Sequence, residues 1–187
     1  MLRPLAVSVA RCRARQMSTA PSVQTPLVQQ YRATAEDRLL SHMEKVAGKA
    51  HREGKLESAQ ELYEHLISAR RARHGDAHPL TVGALGSLAR VATERGDLNA
   101  AETLAREALS ASETTLGAMH PDSLRHQSTL AAVLTRCGKL EEAESSARFA
   151  VEAYHVMYGD DHPDLATAQG HLGQVLRARS KHSQESG

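Results

Sequence analysis

Residues 159–164, Gly-Asp-Asp-His-Pro-Asp, bring three carboxylates and one imidazole together in six positions. Carboxylate oxygens and imidazole nitrogens are donors that bind zinc or calcium, and they also exchange protons during catalysis. Two related segments place His78 and His120 before a proline in the same way. These three segments are the first candidates for chemistry, and their spacing decides between a site and a turn.

The three segments recur at a fixed step of 42 residues, since their glycines are Gly75, Gly117 and Gly159. Other positions keep the same step, among them Gly54, Gly96 and Gly138, and Ala59, Ala101 and Ala143. A fixed period of about 20 to 50 residues is typical of stacked repeats. Each unit is predicted to form two helices, over residues 79–95 and 98–116 in the second unit, with a tight turn at Gly96.

Each His-Pro segment is therefore predicted to end one helix pair and to begin the next. The glycine supplies the left-handed conformation that ends a helix, and the proline suits the first turn of the following one. Equivalent positions in neighbouring units lie on the order of 10 Å apart, whereas zinc ligands lie ~2 Å from one ion. His78, His120 and His162 are thus predicted not to share a metal, and we expect no metal and no cofactor. A metal-dependent protein that uses a single loop stays open as an alternative, with Asp160, Asp161, His162 and Asp164 as ligands.

Catalytic motifs are missing from the sequence. It contains no glycine-rich phosphate loop, no Gly-x-Ser-x-Gly and no His-Glu-x-x-His. Cys137 lies near Arg136 and Lys139, cations that lower a thiol pKa, but no histidine is placed beside it as a catalytic partner. We predict a small structural residue at Cys137, no catalytic residue, and a protein that is not an enzyme.

The composition predicts closely packed helices. The 187 residues are 41% hydrophobic but only 3% aromatic, and the abundant alanine and leucine are strong helix formers. The formal charge is +1, but residues 1–17 hold four arginines and no acid, which leaves 19 basic and 22 acidic side chains elsewhere. This balance predicts no nucleic-acid interface, and no apolar run reaches the ~18 residues of a transmembrane helix.

Residues 1–17 combine arginines and small residues, with apolar residues on one side of a helix and no acid. Such a segment is typical of a mitochondrial transit peptide. Arg15 is the third residue before a predicted cleavage after Met17. We therefore predict a mitochondrial protein in which residues 18–33 form a flexible lead-in. A disordered basic tail on a cytosolic protein is the alternative interpretation.

Residues 78–117, HPLTVGALGSLARVATERGDLNAAETLAREALSASETTLG, resemble a tetratricopeptide repeat (TPR) in the longer, kinesin light chain-like form. Leu88 and Ala89 match the Leu-small pair of the first helix, and Gly96 matches the turn. Ala101 and Ala108 match the small residues of the second helix. The resemblance implies an all-α fold, a right-handed superhelical stack of helix-turn-helix repeats with three pairs and a C-terminal capping helix.

The resemblance covers residues 34–179 and predicts seven helices. Its parts are expected at about 34–75, 76–117 and 118–159, followed by a capping helix at 163–179 and a polar tail at 180–187. Three pairs are about the minimum for a stable stack, and the last helix would serve as the solvated cap.

TPR proteins that this chain resembles bind partner segments on a concave face lined by the first helix of each pair. Helical periodicity places seven candidate groove residues on that face: Glu44, His51, Arg90, Arg125, Ser128, Gln174 and Arg177. The arginines are the predicted anchors, because arginine is enriched at binding hot spots and pairs with carboxylates through two hydrogen bonds.

The leading hypothesis is a non-enzymatic mitochondrial scaffold, an accessory subunit or assembly factor of a respiratory or other mitochondrial complex. A cytosolic adaptor of the kinesin light chain type is the second hypothesis. The asparagines that kinesin light chain-like repeats carry before the Leu-small pair are absent here, where Gly86-Ser87 and Ser128-Thr129 stand instead. Self-association through an open end of the stack is a further expectation.

Overall fold

A computed structural model describes residues 26–185 of the chain, and it describes side chains for residues 34–184. Within residues 26–185 the backbone forms seven α-helices and no strand, which confirms the all-α prediction. The helices are α1 (Pro26–Arg52), α2 (Leu56–His74), α3 (Pro79–Arg95), α4 (Leu98–Leu116), α5 (Pro121–Arg136), α6 (Leu140–Tyr158) and α7 (Pro163–Glu185). The bounds of α3 and α4 are those predicted from the repeat.

The chain divides into two compact units, residues 1–39 and residues 40–187. The described part of the first unit, residues 26–39, is helical. In the second unit each helix from α2 to α6 packs against the helix that follows it. In addition, α3 contacts α5, and α5 contacts α7. These contacts describe a stack of helix pairs in which the first helices form one layer.

Both ends of the helical region extend beyond the predicted bounds. α1 begins at Pro26 rather than at residue 34, and α7 continues to Glu185 rather than ending near residue 179. Proline suits the first position of a helix, and no glycine or proline lies between Pro26 and Gly48. At the other end Ser180 replaces the turn glycine, so the helix has no left-handed residue to end it. The predicted transit peptide, residues 1–17, lies outside the described residues.

The turns between helices depend on glycines with positive φ. Gly96, between α3 and α4, has φ 88° and ψ 6°, the left-handed conformation, and its N–H donates to the carbonyls of Ala92 and Thr93. Gly117, between the second and third pairs, has φ 90° and follows α4. A side chain at either φ would be strained, since L-residues rarely adopt this region. The periodic glycines therefore set the length of every helix pair.

The histidines of the His-Pro segments act as helix caps. The Nδ1 atoms of His78, His120 and His162 each accept a hydrogen bond at 3.2 Å from the backbone N–H two residues later, at Leu80, Asp122 and Asp164. This bond satisfies one of the free N–H groups at the start of a helix. It also occupies one of the two imidazole nitrogens, so the segments have a structural role at the helix starts. Residues 34–184 contain no group of three or more side chains placed to hold a metal ion.

Alanines fill the positions where helices cross. Ala59, Ala101 and Ala143 in the second helices are fully buried, and so are Ala47, Ala89 and Ala131 in the first helices. Gly173, the fourth member of the second series, is only half-buried because no helix follows α7 within the described residues. None of the described helices is both long enough and apolar enough to span a membrane.

One buried position in the second helix of each pair holds a different residue in every repeat. Arg70, Ser112 and Tyr154 are 42 residues apart, and each is at most 1% exposed. Arg70 donates to the carbonyl of Leu80 at 2.7 Å, and the Tyr154 hydroxyl donates to the carbonyl of Pro121 at 2.7 Å. These bonds connect a second helix to the start of a neighbouring first helix, whereas Ser112 bonds only within its own helix.

Candidate partner-binding groove

The first helices of the second unit enclose a polar pocket of about 420 Å³, called the groove below. Tyr154 of α6 closes one side, and the other lining residues come from α1, α3, α5 and α7. They are Glu44, Gly83, Gly86, Ser87, Arg90, Arg125, His126, Ser128, Thr129, Asp164, Thr167 and His171. The groove is lined mostly by polar side chains, and Gly83 on α3 leaves open space beside it.

Four of the seven predicted groove residues line the groove: Glu44, Arg90, Arg125 and Ser128. The structure places the other three elsewhere. The His51 Nε2 lies 2.8 Å from a carboxylate oxygen of Glu94, with the imidazole largely buried between α1 and α3. Gln174 and Arg177 are exposed on α7, beyond the groove-lining His171. The predicted residues that line the groove lie on α1, α3 and α5, whereas the two predicted on α7 lie beyond His171, the last groove-lining residue of that helix.

Glu44 is neutralised by Arg70, a residue that was not predicted from the sequence. The Arg70 guanidinium donates to both Glu44 carboxylate oxygens, with an Nη2–Oε2 distance of 2.8 Å, while it also donates to Leu80. The Arg70 side chain is 1% exposed, so its charge requires a partner in the fold. The sequence did contain an indication of this pair, because Arg70 lies 42 residues before Ser112 and 84 before Tyr154, at the same repeat position. Glu44 therefore stabilises the stack and is not free to bind an incoming cation.

Arg125 and Arg90 differ in what surrounds their charges. The Arg125 guanidinium lies 2.6 Å from a carboxylate oxygen of Asp122, three residues earlier on α5. Arg90 is exposed, and among residues 34–184 it has no ion pair and no side-chain hydrogen bond. Arg90 is thus the cation of the groove whose charge is available to a ligand.

His126 is the buried titratable group of the groove. Only 5% of this residue is exposed, and the ring edge with Cε1 and Nδ1 lies against Gly86 of α3. Burial, with a smaller effect of the neighbouring Arg125 charge, lowers the pKa of His126 to about 4 against a raising effect of Asp122. His126 is therefore neutral at pH 7, and it makes no hydrogen bond with the described residues. His126 was not predicted from the sequence, although a glycine in the interior of a helix, as at Gly86, often indicates a close approach.

A second neutral histidine connects α5 to α7. The Ser128 Oγ and His171 Nδ1 are 2.7 Å apart and share a hydrogen bond. Burial lowers the pKa of His171, and the nearby Arg90 charge acts in the same direction. Arg90 of α3 and His171 of α7 therefore face the same groove. The groove therefore offers one free cation beside two neutral imidazoles.

Cys137 lies outside the groove and is half-buried. Burial raises the pKa of its thiol, and the nearby Glu102 carboxylate acts in the same direction. The thiol is therefore protonated at pH 7, which favours the structural role predicted for it. The described residues thus provide recognition chemistry in the groove and a structural cysteine apart from it.

The chain matches the family model described as tetratricopeptide repeat over residues 39–114 and 122–185. No curated protein sequence matches it significantly. Solved structures are similar in fold. BtubC (BKLC) from P. vanneervenii has a TM-score of 0.68 at 18% identity, with 77% of this chain and 57% of that chain covered. This chain thus spans less than two thirds of BtubC.

A second similar structure is described as "Podosopora anserina putative kinesin light chain nearly identical TPR-like repeats". It has a TM-score of 0.62 at 22% identity, and 91% of this chain and 75% of that chain are covered. A variant of the same protein gives a TM-score of 0.64 with the same identity and coverage. At these identities the similarity establishes the fold alone.

The contact between Gly86 and His126 predicts opposite effects for two glycine substitutions in α3. A Cβ at Gly86 would lie 2.7 Å from His126 Cε1, so Gly86→Ala should lower the free energy of unfolding by about 1–3 kcal/mol. A Cβ at Gly83 meets no atom within 4 Å, so Gly83→Ala should raise it by up to about 1 kcal/mol. Urea denaturation followed by circular dichroism measures both, and equal effects would contradict the close contact.

The burial of neutral His126 predicts that stability falls with acid. The folded-state pKa is about 4 against an ordinary value of 6.5, so between these values the unfolded chain binds a proton that the folded chain does not. The free energy of unfolding should therefore decrease as the pH falls from 6.5 to 4, by up to about 3 kcal/mol. Urea denaturation at several pH values measures the slope. In His126→Phe the pH dependence of the free energy of unfolding should be weaker, and His171 should account for the smaller dependence that remains. An unchanged slope in this variant would refute the assignment of the pH dependence to His126.

Proposed function

The chain belongs to the tetratricopeptide repeat family, and on this basis we propose that it is a scaffold whose groove binds a segment of a partner protein. Repeat proteins of this kind generally act through binding surfaces formed by stacked helix pairs. The observation that supports the proposal is the groove itself. It is polar, about 420 Å³ in volume and lined from four successive first helices, a size typical of ligand-binding pockets.

The open floor of the groove favours a polypeptide segment as the ligand. Gly83 removes a side chain from the face of α3 that lines the groove, and a Cβ there would meet no atom within 4 Å, whereas the space beside Gly86 is occupied by the His126 ring. Ser87, Ser128 and Thr129 add short hydroxyl side chains. A segment can therefore lie close to the helix backbones, with its side chains directed at Arg90.

We place this scaffold in mitochondria, as an accessory subunit or assembly factor of a respiratory or other mitochondrial complex. The support is the acid-free, arginine-containing segment at residues 1–17, which is typical of a transit peptide. The second candidate is a cytosolic adaptor of the kinesin light chain type, and the similarity to the P. anserina repeats favours it. The compartment of the protein separates the two.

A bulky side chain in the groove should block partner capture. The variant Gly83→Trp places an indole where the structure has open space, so the stack should fold normally while the groove is filled. Affinity purification of the tagged chain from cells, with quantitative mass spectrometry, should recover at least tenfold less of any stoichiometric partner. Ser110→Trp, at an exposed position on α4, is the matched control and should retain the partner. Equal recovery with Gly83→Trp would exclude the groove as the binding surface.

Processing of residues 1–17 should distinguish the two compartments. N-terminal sequencing of protein recovered from purified mitochondria should begin at Ser18, and a chain that lacks residues 1–17 should remain in the cytosol. The physical reason is the loss of the positively charged amphipathic segment that import requires. Replacing Arg11, Arg13 and Arg15 with glutamine tests the charge without changing the length. An intact Met1 on protein from the cytosol would support the adaptor instead.

A further inference from the structure

The charges that line the groove are not equally available to a partner. Glu44 is paired with Arg70, and Arg125 is paired with Asp122. Two groups remain without an ion pair among the described residues. Arg90 is an exposed cation on α3, and Asp164 is a half-exposed acid in the first turn of α7. The groove therefore presents one available positive charge and one available negative charge.

His126 adds a hydrogen-bonding group to the part of the groove beside Arg90. It is 5% exposed, lines the groove, and has no hydrogen-bond partner among residues 34–184. Its ring nitrogens are not among the fully buried atoms that lack a partner, so an unpartnered nitrogen of His126 is open to a ligand group in the groove. His126 lies against Gly86, one helical turn before Arg90. A hydrogen-bond acceptor placed here can be bound by the imidazole and by the guanidinium together.

The charge balance identifies this acceptor as a carboxylate. Arg90 supplies one positive charge, and the two histidines of the groove are neutral at pH 7. A carboxylate carries one negative charge and accepts two hydrogen bonds, so it matches the site. A phosphoryl group, with close to two negative charges, would leave an excess negative charge in a groove that already contains Asp164.

Asp164 presents a negative charge to the groove. Its carboxylate lies near the Tyr154 hydroxyl, whose pKa it helps to raise after the larger effect of burial. No lysine or arginine of the described residues pairs with it. A lysine or arginine of the partner would neutralise Asp164 where α6 and α7 meet. Between Arg90 and Asp164, the hydroxyl groups of the lining residues can form hydrogen bonds with the uncharged backbone of the segment.

We propose that the partner segment carries one acidic and one basic side chain, the acid bound by Arg90 and His126 and the base bound by Asp164. This inference rests on the proposed function, because it assumes that the groove holds a polypeptide. The two subsites lie at different positions along the axes of the first helices. The repeat equivalent of Arg90 on α7 is Gln174, ten residues after Asp164, which corresponds to about 15 Å along a helix. An extended segment needs at least about five residues to cover this distance.

Selection from a display library of random 12-residue peptides on the immobilised full chain tests the proposal. Peptides enriched by the wild-type protein should contain Asp or Glu and, at a fixed separation of at least about five residues, Lys or Arg. Arg90→Glu should reverse the preference at the acidic position and leave the basic one. Asp164→Lys should reverse the preference at the basic position and leave the acidic one. Arg177→Glu changes an exposed arginine outside the groove and should alter neither preference.

Fluorescence anisotropy with the enriched peptide then measures the subsites one at a time. The Kd should rise at least about tenfold for Arg90→Gln and for His126→Phe, because each removes a donor to the bound carboxylate. Thermal denaturation of every variant verifies that the stack is folded. A wild-type Kd in both variants would overturn the acid subsite.

The outcomes separate this inference from the function on which it rests. Peptides that lose binding with Gly83→Trp but show no paired charge preference would overturn the inference and leave the groove function in place. Peptides that ignore Gly83→Trp, or the absence of any enriched peptide, would overturn both. Enrichment of acidic residues alone would overturn the basic subsite at Asp164.

Discussion

The close approach of helices over alanine is the constraint on which the stack depends. Ala59, Ala101 and Ala143 are fully buried at equivalent crossings, where a larger side chain would push the helices apart. Because adjacent helices lie close together at the alanines, large side chains are confined to other positions, such as the one that holds Arg70 and Tyr154. Gly86 carries the same principle further, since the missing side chain makes room for the His126 ring. The neutral imidazole of the groove is thus a consequence of close helix packing.

Local signals determine how much of the fold could be predicted from the sequence. The bounds of α3 and α4 could be predicted because a turn glycine and a helix-starting proline each act within a few residues of their own position. The extension of α7 to Glu185 was missed, although Ser180 in place of a turn glycine was its signal. The polar composition of residues 180–187 predicts a tail, but polar residues without a glycine or proline can continue a helix.

The site was harder to predict because its determining contacts join distant positions. Arg70 and Glu44 are 26 residues apart, and Gly86 and His126 are separated by 40. Periodicity gives the side of a helix on which a residue lies, and this sufficed for Arg90 and Ser128. It does not say which neighbour neutralises a charge, so Glu44 and Arg125 were treated as available although the fold pairs them. The residues that remain unpaired are visible only after helix packing is known.

Arg70, Ser112 and Tyr154 have a consequence for the identity of each repeat. Repeats of equal length can be confused with one another. A helix can pack against the wrong repeat, one period away, and recombination can delete one period. The three residues make such exchanges unequal, because Arg70 in a slipped alignment would meet no Glu44 and would bury an uncompensated charge at a cost of about 3–5 kcal/mol. Tyr154 would overfill the space that Ser112 leaves small. These side chains therefore favour one order of the repeats. They oppose both misaligned packing during folding and the rearrangement of repeats during evolution.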